Sequence, residues 1–136
     1  MTTDDINKLV KYWLKASEID LQTARQVYDN TREYVSVLFH IHLSIEKILK
    51  ALYVSRKKEH APFSHNLLYI AKKADITLNE KDTKLLIEIN EFNIECRYPD
   101  DKFSIYKKAT SALTGRYLKK SGVFIEWILE ILRKES

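Results

Sequence analysis

Glycine and proline are scarce in this 136-residue chain, with two of each. Tight turns and hairpins draw on those residues, so their scarcity argues against a hairpin-rich sheet and favours long helices. Cysteine is scarcer still: Cys96 stands alone, which rules out an internal disulfide and fits a reducing compartment. No stretch approaches the roughly 20 consecutive apolar residues that a bilayer span needs. The first residues, "MTTDDINKLVKYW", lack a cationic segment followed by an apolar run. These absences point to a cytoplasmic protein with no membrane segment. The length suits one domain covering residues 1–136, because two well-built cores need more chain.

Charge is plentiful but nearly balanced, with a formal net of +4. Lys and Arg against Asp and Glu number 10 to 8 over residues 1–68, 5 to 8 over 69–101, and 8 to 3 over 102–136. The cationic excess therefore sits in the last segment. A mild basic face of this kind is usually solvated, which ranks nucleic acid below other partners.

Apolar residues recur at a helical period through most of the chain. Ile6, Leu9, Val10, Trp13, Ala16, Leu21, Ala24 and Val27 mark a first helix over residues 5–28. Residues 34–56 are apolar around much of the wheel, centred on Leu38, Ile41, Ile45, Leu49 and Leu52, so this second helix belongs in the middle of a bundle. Pro62 and its polar neighbours make a loop, after which Ser64 is placed to cap a short helix over 65–74. Asn79, with Asp82 three residues on, starts a fourth helix whose core stripe is Leu85, Ile89, Phe92 and Cys96, and Pro99 stops it. The spacing of Tyr106, Thr110, Leu113, Tyr117, Phe124, Ile128 and Ile131 predicts one long helix from about Phe103 to Arg133. Gly115 and Gly122 permit a bend or a close neighbour there. The sum is an all-α, antiparallel four-helix up-and-down bundle with one short additional helix.

Two groups of polar residues stand out against this pattern. Asp20 falls within the apolar face of the first helix, and His42 and Glu46 lie one turn apart on the second. A buried charge needs a partner, so these three can form an interior network, with Lys50 in reach. Setting helix register is its simpler role. On the fourth helix, Asn90, Asn93 and Arg97 share one edge, where two amides and a guanidinium can grip a phosphate. The alternative is a polar edge ending in a cation that suits a helix C-terminus. Ile87 and Ile94, seven apart, make an apolar stripe outside the core and suggest a subunit contact. There is no phosphate-binding glycine loop, no nucleophile elbow and no pair of histidines at metal spacing, so no metal and no cofactor is expected.

Four segments in order, "WLKASEIDLQTA", "LFHIHLSIEKILKAL", "FSHNLLYIA" and "RYPD", together resemble the HEPN domain. That resemblance implies a helical bundle, usually dimeric, and a minimal nucleotidyltransferase-fold partner in systems of toxin–antitoxin type. Many HEPN domains are metal-independent ribonucleases that use an arginine and, after four to six intervening residues, a histidine. Arg97 matches the arginine, but Lys102, Phe103 and Ser104 occupy the histidine window and no histidine follows His65. The "RYPD" form is similar to the branch regarded as non-catalytic partners or nucleotide-binding modules. By that resemblance, Arg97, Tyr98 and Asp100 present a cation, a stacking ring and an acceptor beside Asn90 and Asn93. Catalytic residues are not expected. The alternatives are a ribonuclease toxin with an altered base, a plain interaction scaffold, and a structural turn in which Asp100 pairs with Arg97.

Overall fold

A computed structural model describes residues 1–136. Six helices follow one another: α1 (Thr3–Asn30), α2 (Tyr34–Lys57), α3 (Leu67–Lys73), α4 (Glu80–Arg97), α5 (Ser104–Lys108) and α6 (Ser111–Glu135). The chain is all-helical, and the four long helices α1, α2, α4 and α6 form the bundle. α2 is its axis and packs against each of the other helices. Its central apolar residues, Leu38, Ile41, Ile45, Leu49 and Leu52, are completely buried, as a helix apolar around its wheel requires.

Local signals set the helix ends. Thr2 and Asp5 form a reciprocal capping box at α1, each side chain accepting the other's backbone N–H. Asn79 Oδ1 accepts the Asp82 N–H at 2.8 Å and opens α4. α1 and α2 approach closely at two buried serines: Ser17 Oγ donates to the Ser44 carbonyl at 2.7 Å and Ser44 Oγ to the Ser17 carbonyl at 2.9 Å. At the far end Arg56 joins three segments. Its guanidinium forks onto Glu135 and also donates to the carbonyls of Ala74 and Asp75.

Two boundaries differ from the sequence expectation. Ser64 does not cap α3: Asn66 does, accepting from the Leu68 and Tyr69 amides, while Ser64 Oγ accepts the Asn66 N–H. The single long helix expected from Phe103 to Arg133 is two, so there are two short helices and not one. Thr110 accepts the Leu113 N–H at 3.2 Å and restarts the helix as α6. A local cap has overridden the apolar period, so Ile105 is buried and Tyr106 is not. Gly115 lies where α6 crosses α1: a Cβ there would stand 2.5 Å from the Tyr28 hydroxyl, which donates to the Ser111 carbonyl.

Candidate functional site

The three residues expected to form one interior network are divided between two. Asp20 reaches from α1 to Lys47 at 2.5 Å and touches neither His42 nor Glu46. Those two sit on another face of α2, where Glu46 is the hub. Its Oε2 accepts from Lys50 Nζ at 3.1 Å and its Oε1 from His65 Nδ1 at 2.8 Å. His42 Nε2 donates to the His65 carbonyl at 2.9 Å, since a carbonyl can only accept. That fixes a bare Nδ1 on neutral His42, 3.9 Å from Glu46 and without a hydrogen-bond partner. Burial lowers the His42 pKa to about 4, overcoming the opposing pull of Glu46. Lys50 also lies over the Trp13 ring. Glu46 therefore fastens the loop before α3 onto α2 through a histidine whose other nitrogen, Nε2, has no protein partner; the His65 side chain is 61% exposed.

The edge of α4 does not behave as one set either. Asn90 is committed to the fold: Oδ1 accepts the Leu67 N–H and Nδ2 donates to Asn66 Oδ1, both at 3.0 Å. Asn93 is buried and accepts from Arg97 Nε at 3.2 Å. The Arg97 guanidinium also lies 5.2 Å from the centre of the Phe39 ring. Two contacts thus orient Arg97, and its terminal nitrogens have no protein partner. Asp100 does not pair with it. Its two oxygens accept the Ser104 N–H at 2.9 Å and the Ser104 hydroxyl at 2.7 Å, which start α5 and hold the carboxyl below its ordinary pKa. Tyr98 is 77% exposed on the turn.

Beside Arg97 a cavity of about 360 Å³ opens between the start of α2, the end of α4 and α5. Glu33, Val35, Phe39, Cys96, Arg97 and Tyr106 line it. Cys96, expected on the core stripe, is only half-buried there; its thiol contacts the Val35 carbonyl at 3.6 Å, and burial pushes its pKa up to about 11. A larger groove of about 680 Å³ runs between α4 and α6, but its charges are of mixed sign and it does not include Arg97. No group of three or more His, Cys, Asp or Glu is placed to hold a metal ion, and no helix is long and apolar enough to cross a membrane.

Sequence reasoning found Arg97 but missed Glu33, Phe39 and Tyr106. Glu33 and Phe39 come from the start of α2 and Tyr106 from α5, and only the packing of α2, α4 and α5 brings them beside Arg97. His65 had a legible signal in its place ahead of α3, yet its partner Glu46 lies 19 residues upstream.

The architecture and this end-turn define a small helical-bundle module with an oriented, accessible arginine. The HEPN domain family model matches residues 10–132, and the chain belongs to the HEPN family. Its fold is similar to that of TT1696 from Thermus thermophilus, with a TM-score of 0.75 and 17% identity over 89% of this chain and 96% of that one. Among curated proteins, none matches the chain.

Proposed function

We propose that this HEPN-family chain is a cytoplasmic, non-catalytic binding module that holds a nucleotide through its phosphate. Arg97 is the clamp, and the observation that carries the proposal is its geometry. Asn93 and Phe39 hold the guanidinium in place while its fork stays open at the mouth of a cavity. The cavity volume lies in the range of roughly 300–1,000 Å³ that small-molecule sites occupy. Tyr98 adds an exposed ring, while Asp100 shapes the turn. The role is one of holding: the ligand is presented to a catalytic centre elsewhere, such as a minimal nucleotidyltransferase partner in a toxin–antitoxin-like pair. Ile87 and Ile94 are both exposed on α4 and supply the apolar surface that a homodimer would cover.

A thermal-shift series with ATP, GTP, AMP and inorganic phosphate tests the clamp. A ligand at ~100 times its dissociation constant adds about 2.7 kcal/mol. The expected result is a rise of several degrees that disappears in Arg97→Ala. No rise with any ligand would leave the partner scaffold as the better account.

One observation favours a ribonuclease instead. His65 Nδ1 is oriented by Glu46, which leaves Nε2 free in the manner of a carboxylate-positioned acid or base. Expression of the wild-type chain, His65→Ala and Arg97→Ala separates the two. Growth arrest that both variants relieve would favour the nuclease.

A further inference from the structure

We infer that the cavity beside Arg97 is a nucleobase pocket and that Glu33 selects guanine. This rests on the nucleotide proposal above and adds the identity of the base. The cavity walls suit a flat aromatic group. Phe39 and Tyr106 contribute rings and Val35 and Cys96 contribute apolar surface, while Arg97 is the one cation among the lining residues. Both rings are supported from behind or beside. Phe39 carries Arg97 over its face and His40 at its edge, and Tyr106 meets Phe103 edge-on with ring centres 6.0 Å apart. Tyr106 is 55% exposed although it occupies a helix of only five residues, so its ring is available to a ligand.

Glu33 provides the discrimination. It precedes α2 at the capping position, yet its side chain makes no capping hydrogen bond. Nor does its carboxylate take part in an ion pair, whereas Glu95 pairs with Lys108 and Asp100 accepts hydrogen bonds from Ser104. An ionised carboxylate only accepts. Guanine offers two adjacent donors, N1–H and the N2 amine, which match the two carboxylate oxygens. Adenine offers an unprotonated N1 at the equivalent place and meets the same carboxylate with an acceptor. A mismatch of that kind leaves polar groups unpaired and so discriminates against adenine. The assignment of ends follows: base toward Glu33, Phe39 and Tyr106, phosphate toward the open fork of Arg97.

Calorimetric titration of the full chain with GMP, AMP and ribose 5-phosphate tests this. GMP is expected to bind roughly tenfold or more tighter than AMP, the effect of one hydrogen-bonded pair gained and one mismatch avoided. Glu33→Gln, which can present a donor to adenine, should bring the two affinities close together. Tyr106→Ala should weaken both nucleotides while leaving ribose 5-phosphate unchanged. Cys96 gives an independent readout, because GMP should slow its alkylation by a maleimide and ribose 5-phosphate should not. Equal affinities for GMP and AMP, or a preference that survives Glu33→Gln, would overturn the guanine pocket. The nucleotide proposal would still stand if Arg97→Ala abolished both. Failure of all three ligands to bind would overturn the pocket and the clamp together.

Discussion

Glu46 and Arg97 are both charged residues on long helices, yet their surroundings are opposites. Glu46 is nearly sealed from solvent, and each of its oxygens has a donor, one from its own helix and one from the loop before α3. Arg97 is exposed and oriented, and its terminal donors have no partner. The first is a closed set in which every member holds another in place. The second is held by its neighbours and holds nothing in return. Fold stability should therefore reside in the first and binding in the second, and substitutions at each should move different observables.

The sharpest way to break that contrast is Glu46→Ala. It strands the Lys50 ammonium in the interior and frees the loop bearing His65, so unfolding in denaturant should show a loss of about 3–5 kcal/mol, the usual cost of orphaning a buried charge. Glu46→Gln keeps the shape and an acceptor and should lose less. A loss below about 1 kcal/mol in Glu46→Ala would mean that the network contributes little to the fold.

Next in size is a pH effect from His42. Its pKa falls from 6.5 to about 4 on folding, so between those values the unfolded chain binds the proton and the folded one does not. The stabilisation is complete above pH 6.5 and is lost as pH falls through 4. It amounts to roughly 3 kcal/mol at about 1.36 kcal/mol per pH unit. Denaturation midpoints between about pH 7.5 and 4 should slope accordingly, and His42→Gln, which keeps a donor for the His65 carbonyl, should flatten the slope. Equal slopes in both proteins would place the titration elsewhere.

A smaller effect concerns packing alone. Gly115→Ala puts a methyl group 2.5 Å from the Tyr28 hydroxyl and pushes that ring off Ser111; set against a helix gain of roughly 1 kcal/mol for Ala over Gly, melting should show a net cost of about 1 kcal/mol. Ligand binding should be untouched, because the α1–α6 crossing shares no residue with the cavity beside Arg97.

Much of the scaffold is legible in the sequence because it depends on local patterns. The apolar wheel of α2, the Asn79 cap and the stop at Pro99 each lie within a few residues of what they determine. The last long helix misleads for the same reason: an unbroken apolar period hides Thr110, a cap inside an otherwise continuous pattern. The site is less legible because it depends on residues distant in sequence. Nothing near Asp20 reveals that Lys47, and not Glu46, is its partner. Nothing near Arg97 reveals that Phe39 lies beneath it or that Glu33 and Tyr106 share its cavity. The alternative pairing of Asp100 with Arg97 fails because Ser104, four residues on, satisfies both carboxylate oxygens.

The most direct test of the contrast between the two regions is one pair of curves for Arg97→Ala and wild type. Each protein is unfolded in denaturant without ligand and then melted with and without a saturating nucleotide. Arg97 should contribute to stability only its contacts with Asn93 and Phe39, about 1 kcal/mol or less, so the unliganded curves should nearly coincide while the ligand-induced rise is lost from the variant. A loss of several kcal/mol without ligand would contradict the account and make Arg97 part of the scaffold, as Glu46 is.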